Sequence, residues 1–188
     1  MKLKYFILLF VLVIPLSGCV IPSDFYGMAV DPRNTSQHDH DIYLEYQVSM
    51  AILNDRTATN LVEHGMVEIH AFYGQVFIAG EYDTKAQESK AMTLARNVPG
   101  VSSVKAYLLP RQEGKACKKP SKFGVRMALQ SASEVHSTNM KVGRVQCDIV
   151  LFGIVTGTDE ADRAIAAAKT VKDVGKEISF LMIPPEKK

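Results

Sequence analysis

The stretch Val76-x-Ile78-x-Gly80-x-Tyr82 returns 73 residues later as Ile149-x-Leu151-x-Gly153-x-Val155. The same offset carries Ala91, Ala95, Val98 and Val101 onto Ala164, Ala168, Val171 and Val174, and Ile69 onto Val142. Beyond Val101 the offset slips by one, so that Val104, Leu108 and Pro110 answer Ile178, Met182 and Pro184. At the front it becomes 77, with Val48, Ala51 and Ile52 answering Val125, Ala128 and Leu129. One loop-length difference accounts for that change. The chain therefore contains two tandem copies of one unit.

Each copy reads as helix, strand, strand, helix, strand. The first helix, Asp41 to Leu53, carries Leu44, Val48, Ala51 and Ile52 on one face at helical spacing. Val67, Ile69 and Ala71 alternate as a strand, Gly74-Gln75 is the expected turn, and Val76, Ile78 and Tyr82 alternate again. Gly80 inside that strand suggests a bulge or close packing by the next helix. The second helix runs from Lys85 to Asn97 with Thr84 as N-cap, and Pro99-Gly100 stops it. Val101 to Leu109 is the last strand. In the second copy the helices fall at Ser121–Ala132 and Asp159–Val171. The expected class is α+β: two small αββαβ modules, each a three-stranded mixed sheet with two helices on one face. Units of roughly 70 residues sit near the lower limit for an independent core, so the copies are expected to lean on each other.

The chain outside the repeats divides simply. Lys2 and Lys4 precede an unbroken apolar run from Tyr5 to Leu16. Spanning a bilayer takes about 20 apolar residues, so the run fits a signal-peptide core instead. It ends at Leu16-Ser17-Gly18-Cys19, small residues before a cysteine, which match the bacterial lipobox. The other reading is an ordinary secretory signal with a chance cysteine. On the lipobox reading residues 1–18 are removed and Cys19 carries the acyl chains. Val20 follows, where Asp would favour the inner membrane, so the expected address is the outer membrane, facing the periplasm. Residues 19–40 form a lipidated tether, 41–110 the first module, 111–120 a polar linker, 121–184 the second module and 185–188 a tail.

The formal net charge of +2 rests on Lys2 and Lys4; without them 20 basic residues face 20 acidic ones. A neutral chain has no general pull on nucleic acid, and no nucleic-acid partner is expected. The balance is uneven: residues 41–110 hold 5 basic and 8 acidic side chains, residues 111–188 hold 14 and 9. Cys117 and Cys147 remain after Cys19; in an oxidising periplasm they are a possible disulfide pair, or two free thiols.

The pattern Val67-x-Ile69, Gly74-Gln75-Val76-x-Ile78-x-Gly80, an Ala-rich helix, then Val98-Pro99-Gly100-Val101-x-x-Val104 resembles the BON domain. The likeness covers 41–110 closely and 121–184 more loosely: Cys147 stands at the turn Gly and Lys172-Asp173 at Pro-Gly. With the lipobox and an Asp31-Pro32-Arg33 tether, the chain resembles tandem BON-domain lipoproteins. That resemblance implies a non-enzymatic protein that binds anionic phospholipid, maintains outer-membrane integrity and associates with division sites. It implies lipid contact on the first helix of the second copy. The chain has no tryptophan, so the family's aromatic contact does not carry over as such.

On that helix Val125, Ala128, Leu129 and Ala132 share one face, stepped at about 100° per residue. Phe123 and Met127 fall on the opposite side, with Lys122, Arg126 and Gln130 around them. Just upstream lie Arg111, Lys115, Lys118 and Lys119, opposed by Glu113. Exposed apolar groups ringed by cations suit an anionic bilayer. The candidate lipid-binding residues are Lys118, Lys119, Lys122, Phe123, Arg126 and Met127. Tyr46 and Met50 occupy the equivalent places in the first copy, so packing of one module on the other, or no specific role, remain the alternative readings of Phe123 and Met127. Asp41 and Glu45 make the first copy acidic there, which favours lipid contact for the second.

His38-Asp39-His40-Asp41 reads as a polar tether end rather than a metal site; His64, His70 and His136 lie far from any nucleophile pattern. There is no G-x-S-x-G, phosphate loop, H-E-x-x-H or C-x-x-C. No enzyme, cofactor or metal is expected. Besides anionic phospholipid, envelope proteins are the other candidate partners, with the chain as a periplasmic scaffold that recognises no headgroup; an accessory domain for a periplasmic enzyme is the weakest reading.

Overall fold

A computed structural model describes residues 31–112 and 117–185. Cys19, its lipobox and the apolar run before it lie outside the described residues, as do Glu113 and Lys115. The first module runs α1 (Thr35–Leu53), α2 (Thr59–Glu63), β1 (Val67–Phe72), β2 (Gln75–Tyr82), α3 (Lys85–Arg96) and β3 (Ser103–Pro110). The second runs α4 (Lys122–Ser131), a single 3-10 turn at Ser137–Asn139, β4 (Met140–Val145), β5 (Asp148–Ile154), α5 (Thr158–Lys169) and β6 (Glu177–Met182). The sheet orders are β1-β2-β3 and β4-β5-β6. In each the first pair is antiparallel and the second parallel, the helix between the parallel strands making the crossover. The fold is α+β, with two three-stranded mixed sheets.

Local chemistry sets the element ends. Tyr73 and Gly74 both have positive φ, 50° and 75°, as a two-residue primed hairpin turn requires. The turn thus falls one residue earlier than expected, and Gln75 pairs with Phe72. Thr84 caps α3 in a full capping box with Gln87. Gly80 has its close neighbour on the backbone entering the adjacent strand, not on a helix: a Cβ there would meet the Met66 carbonyl oxygen at 2.1 Å. The repeat-equivalent Gly153 meets Asn139 in the same way, at 2.2 Å. This repeated close approach explains why both strands carry glycine at that step.

Two elements depart from the sequence reading. Helix α1 starts at Thr35, so residues 35–40 of the expected tether are helical. Asn34 accepts from the Gln37 amide at 2.8 Å and caps it; the added turn is polar and carries no apolar period to reveal it. Helix α2 was not expected, since five residues buried through Leu61 are too short to show periodicity. The second module has only the 3-10 turn at that place, which accounts for the change of offset from 77 to 73.

The helices of each module cover one face of its own sheet. Leu44, Val48, Ile52, Ala91 and Ala95 pack on Ala71, Val76 and Ile78. Val125, Leu129, Ala164 and Ala168 pack on Val142, Ile149 and Leu151. The opposite faces of the two sheets meet each other. Phe72, Phe77 and Ala79 bury against Val145, Val150, Phe152 and Ile154, joined by Tyr107, Ile178 and Phe180. Aromatic rings run across this seam, Phe77 to Phe180 at 5.3 Å and Phe180 to Phe152 at 5.7 Å between centroids. The layers are helices, sheet, sheet, helices. The modules do lean on each other, through their sheets.

Candidate functional site

Helix α4 is set in place from three directions. Cys117 in the linker is bonded to Cys147 in the β4–β5 turn, with Cα atoms 5.9 Å apart. The carbonyl of buried Pro120 accepts from Arg144 at 3.0 Å. Ser121 then caps the helix, its hydroxyl accepting from the Gly124 amide at 3.0 Å. Val125 and Leu129 drop into the core below. Phe123 and Met127 consequently face outward, 72% and 46% exposed. Neither side chain takes part in the seam between modules, which the sheets make.

The six candidate residues do not form one uniform cluster. Lys118 reaches Asp173 at 3.2 Å. Lys122 crosses to the first module, where its ammonium donates to Glu68 at 2.8 Å. Lys119, in the linker, and Arg126, on α4 between Phe123 and Met127 in sequence, are exposed and have no ion pair among the described residues. Arg126 also borders an open cleft of about 240 Å³ between α4 and β4, floored by Leu129, Met140 and Val142 and rimmed by Gln130, Ser137 and Thr138. The arrangement offers two apolar side chains and the uncommitted Arg126 on one exposed face of α4, with the uncommitted Lys119 in the linker just before it. Asp173 and Glu68 were missed in the sequence because they lie in other elements, far along the chain.

The first module's equivalent helix is built differently, and the expected acidic surface there needs correcting. Asp41 is fully buried. Its carboxylate accepts from the Tyr73 and Gly74 amides at 2.9 Å each, from Gln37 at 3.0 Å and from Arg33 at 2.9 Å. It ties α1 to the β1–β2 turn. Arg33 is itself nearly buried, pairs with Asp31 at 2.7 Å and stacks 5.1 Å over Phe72. The Asp31-Pro32-Arg33 segment is thus packed onto the module. Glu45 turns inward too, accepting from the Ala71 amide at 2.9 Å. Neither carboxylate serves as a free surface charge, so the contrast between the modules lies in their exposed side chains. The large apolar ones exposed on α1 are Ile42, Tyr43 and Tyr46, at 51%, 56% and 58%.

The remaining polar clusters hold the structure together. Glu160 is buried at the start of α5, accepting from the His136 and Thr156 amides at 2.7 Å each. Burial pushes its carboxyl up, but those amides, the Thr156 hydroxyl and His136 outweigh it and leave the group below its ordinary range. Tyr107 donates to Asp148 across the seam at 2.5 Å, and burial together with that carboxylate pushes the phenol up to about 12. Among the described residues no three of His, Cys, Asp and Glu are grouped to hold a metal, and no helix is long and apolar enough to cross a membrane.

Comparison with known proteins finds similar sequences. The family model of the BON domain matches residues 50–109. The chain is 28% identical over 177 residues to outer membrane lipoprotein DolP of Haemophilus influenzae, covering 88% of this chain and 90% of that one. It is 25% identical over 156 residues to the 21 kDa hemolysin of Actinobacillus pleuropneumoniae, 81% of this chain and 78% of that one. Among solved structures, CdsD, a structural protein of the type III secretion system of Chlamydia trachomatis, aligns over 78% of this chain and 64% of its own length. That alignment has 13% identity and a TM-score of 0.28, below the level at which two overall folds correspond.

Proposed function

We propose that this chain, whose residues 50–109 match the BON domain and which is similar over most of its length to an outer membrane lipoprotein, is itself an outer-membrane lipoprotein, anchored through Cys19 and facing the periplasm, whose second module binds anionic phospholipid and so helps maintain the envelope. The observation that carries this reading is the outward face of α4. Phe123 and Met127 stand in solvent with the exposed Arg126 on the same helix and the exposed Lys119 just upstream in the chain, while the packing that would otherwise have used them is supplied by the sheets. Apolar side chains at that depth enter the acyl boundary, and each cation near an anionic surface adds about 1 kcal/mol. Lys119 and Arg126 are the groups available for phosphates; Lys118 and Lys122 already have carboxylate partners. The reading needs no reaction and no cofactor.

The test is co-sedimentation of a chain starting at Val20 with phosphatidylglycerol and phosphatidylcholine vesicles at low and high salt. Binding to the anionic vesicles that weakens as salt rises is expected, because screening shortens to about 3 Å at 1 M. Equal indifference to both vesicles would sink the lipid reading. The anchor is tested separately: Cys19→Ser should move the protein out of the membrane fraction of whole cells.

A second reading, a periplasmic scaffold for envelope proteins, draws on α1. Ile42, Tyr43 and Tyr46 form an exposed apolar strip without the unpaired cations of α4. If soluble protein ignores vesicles while the Cys19-anchored chain co-purifies with an envelope protein, and Tyr43→Ala with Tyr46→Ala abolishes that capture, the scaffold takes precedence.

A further inference from the structure

His70 lies on the seam side of β1, its ring 4.6 Å from that of Phe152 in the second module. Four ionisable groups surround it from different elements. Glu45 of α1 approaches Nδ1 at 3.7 Å, and Glu68 of the same strand approaches Nε2 at 4.0 Å. Lys141 of β4 is near enough to oppose the imidazolium charge. Lys122 of α4 reaches the same Glu68 at 2.8 Å. Two strands over, Lys105 of β3 sits above the Phe77 ring of β2 at 5.7 Å. Both carboxylate distances to His70 are ion-pair distances, too long for hydrogen bonds. Nδ1 is buried without a hydrogen-bond partner among the described residues.

We infer that His70 is a pH-responsive latch in the seam that decides whether Glu68 holds Lys122 or releases it toward an anionic surface. The inference rests on the lipid reading above for its consequence at the membrane, but not for the latch itself. Glu68 has two competing cationic partners, one in each module. With neutral His70, Lys122 is the only charged one, and the 2.8 Å contact is the arrangement seen. A protonated ring draws Glu45 and Glu68 inward, weakens the hold on Lys122 and adds its ammonium to Lys119 and Arg126 on the outer face. Burial opposes protonation of His70, but the two carboxylates outweigh it and hold the imidazole above its ordinary value. A raised value means that this stabilisation is complete below the unfolded value of about 6.5 and is lost as pH rises through the folded one. The seam is therefore tightest, and Lys122 freest, on the acidic side.

The experiment follows the Lys122 and Phe123 amide signals and the His70 ring by NMR from pH 5 to 9. The expected result is one shared inflection above pH 6.5, absent at Lys122 and Phe123 in His70→Gln and also in Glu68→Gln. Anionic vesicle binding should rise about fivefold as pH falls through that inflection, for one added cation. In Lys122→Gln, which removes the ammonium but keeps the sheet–sheet packing, the step should vanish while His70 still titrates. An inflection at Lys122 that survives in a folded His70→Gln, or a His70 that titrates below 6.5, overturns the latch. Absence of vesicle binding at every pH defeats the lipid reading instead, and the latch then stands or falls on the amide signals alone.

Discussion

Helices α1 and α4 occupy the same place in their modules, yet they turn opposite kinds of charge to opposite uses. The repeat pairs Asp41 with Lys118, Glu45 with Lys122, Tyr46 with Phe123 and Met50 with Met127. In α1 the carboxylates of Asp41 and Glu45 point inward, one gripping a hairpin turn and the other facing His70. In α4 the cations point outward or across the seam, and the inward grip passes to a disulfide and a capped Ser121. The apolar core face is preserved in both helices while the rest is free to diverge. A duplicated module keeps what packing demands and changes what solvent allows.

The largest expected difference between the paired positions is at Asp41 and Lys118. Asp41→Ala leaves Arg33 buried without one partner and two hairpin amides without an acceptor, and should cost about 3–5 kcal/mol in urea unfolding. Lys118→Ala breaks one exposed pair and should cost no more than about 1 kcal/mol. Equal costs would mean that the two helices are anchored alike.

Next comes a comparison of aromatic positions. Phe152→Ala removes a ring from the sheet–sheet seam and should cost about 3–5 kcal/mol. Phe123→Ala should stay within about 0.5 kcal/mol. A large stability loss at Phe123 would return that side chain to module packing.

The disulfide ties the linker to the β4–β5 turn, where in the first module Asp41 grips the β1–β2 turn. Cys147→Ser opens a loop of sequence separation 30 and should cost about 2–4 kcal/mol, read as a drop in Tm under oxidising conditions. No change would show that the capped Ser121 and the Pro120–Arg144 bond suffice to seat α4.

The smallest effect is at the start of α5, where Glu160 answers Gln87 of the first module. Its lowered carboxyl contributes stability above the unfolded value of about 4.3, and that contribution disappears as pH falls through the folded value. Glu160→Gln should flatten part of the stability loss between pH 5 and 3 without altering the profile above pH 6. A profile identical to that of the parent would assign the acid sensitivity to other carboxylates.

The repeat, the mixed sheets and the inward face of α4 were legible because each rests on local period and turn chemistry. The seam was not read, although its signal is present. Val76-Phe77-Ile78-Ala79 and Ile149-Val150-Leu151-Phe152 are apolar at every step, the mark of a strand covered on both faces. Counting only alternate residues found the helix side and passed over the sheet side. The outward placement of Phe123 and Met127 was half legible. Helical geometry put them opposite the core, but choosing between solvent and the other module required knowing where the modules meet. The partners of Lys118 and Lys122 were out of reach, since Asp173 and Glu68 approach them only through tertiary packing.

The most direct test of the central claim sets the two outward faces against each other on one membrane. Anionic vesicle binding is measured for Phe123→Ala/Met127→Ala and for Tyr43→Ala/Tyr46→Ala, each confirmed folded by its urea midpoint. The account predicts that the α4 variant loses binding while the α1 variant keeps it. Retained binding in the α4 variant, or loss confined to the α1 variant, would contradict the assignment of lipid contact to the second module.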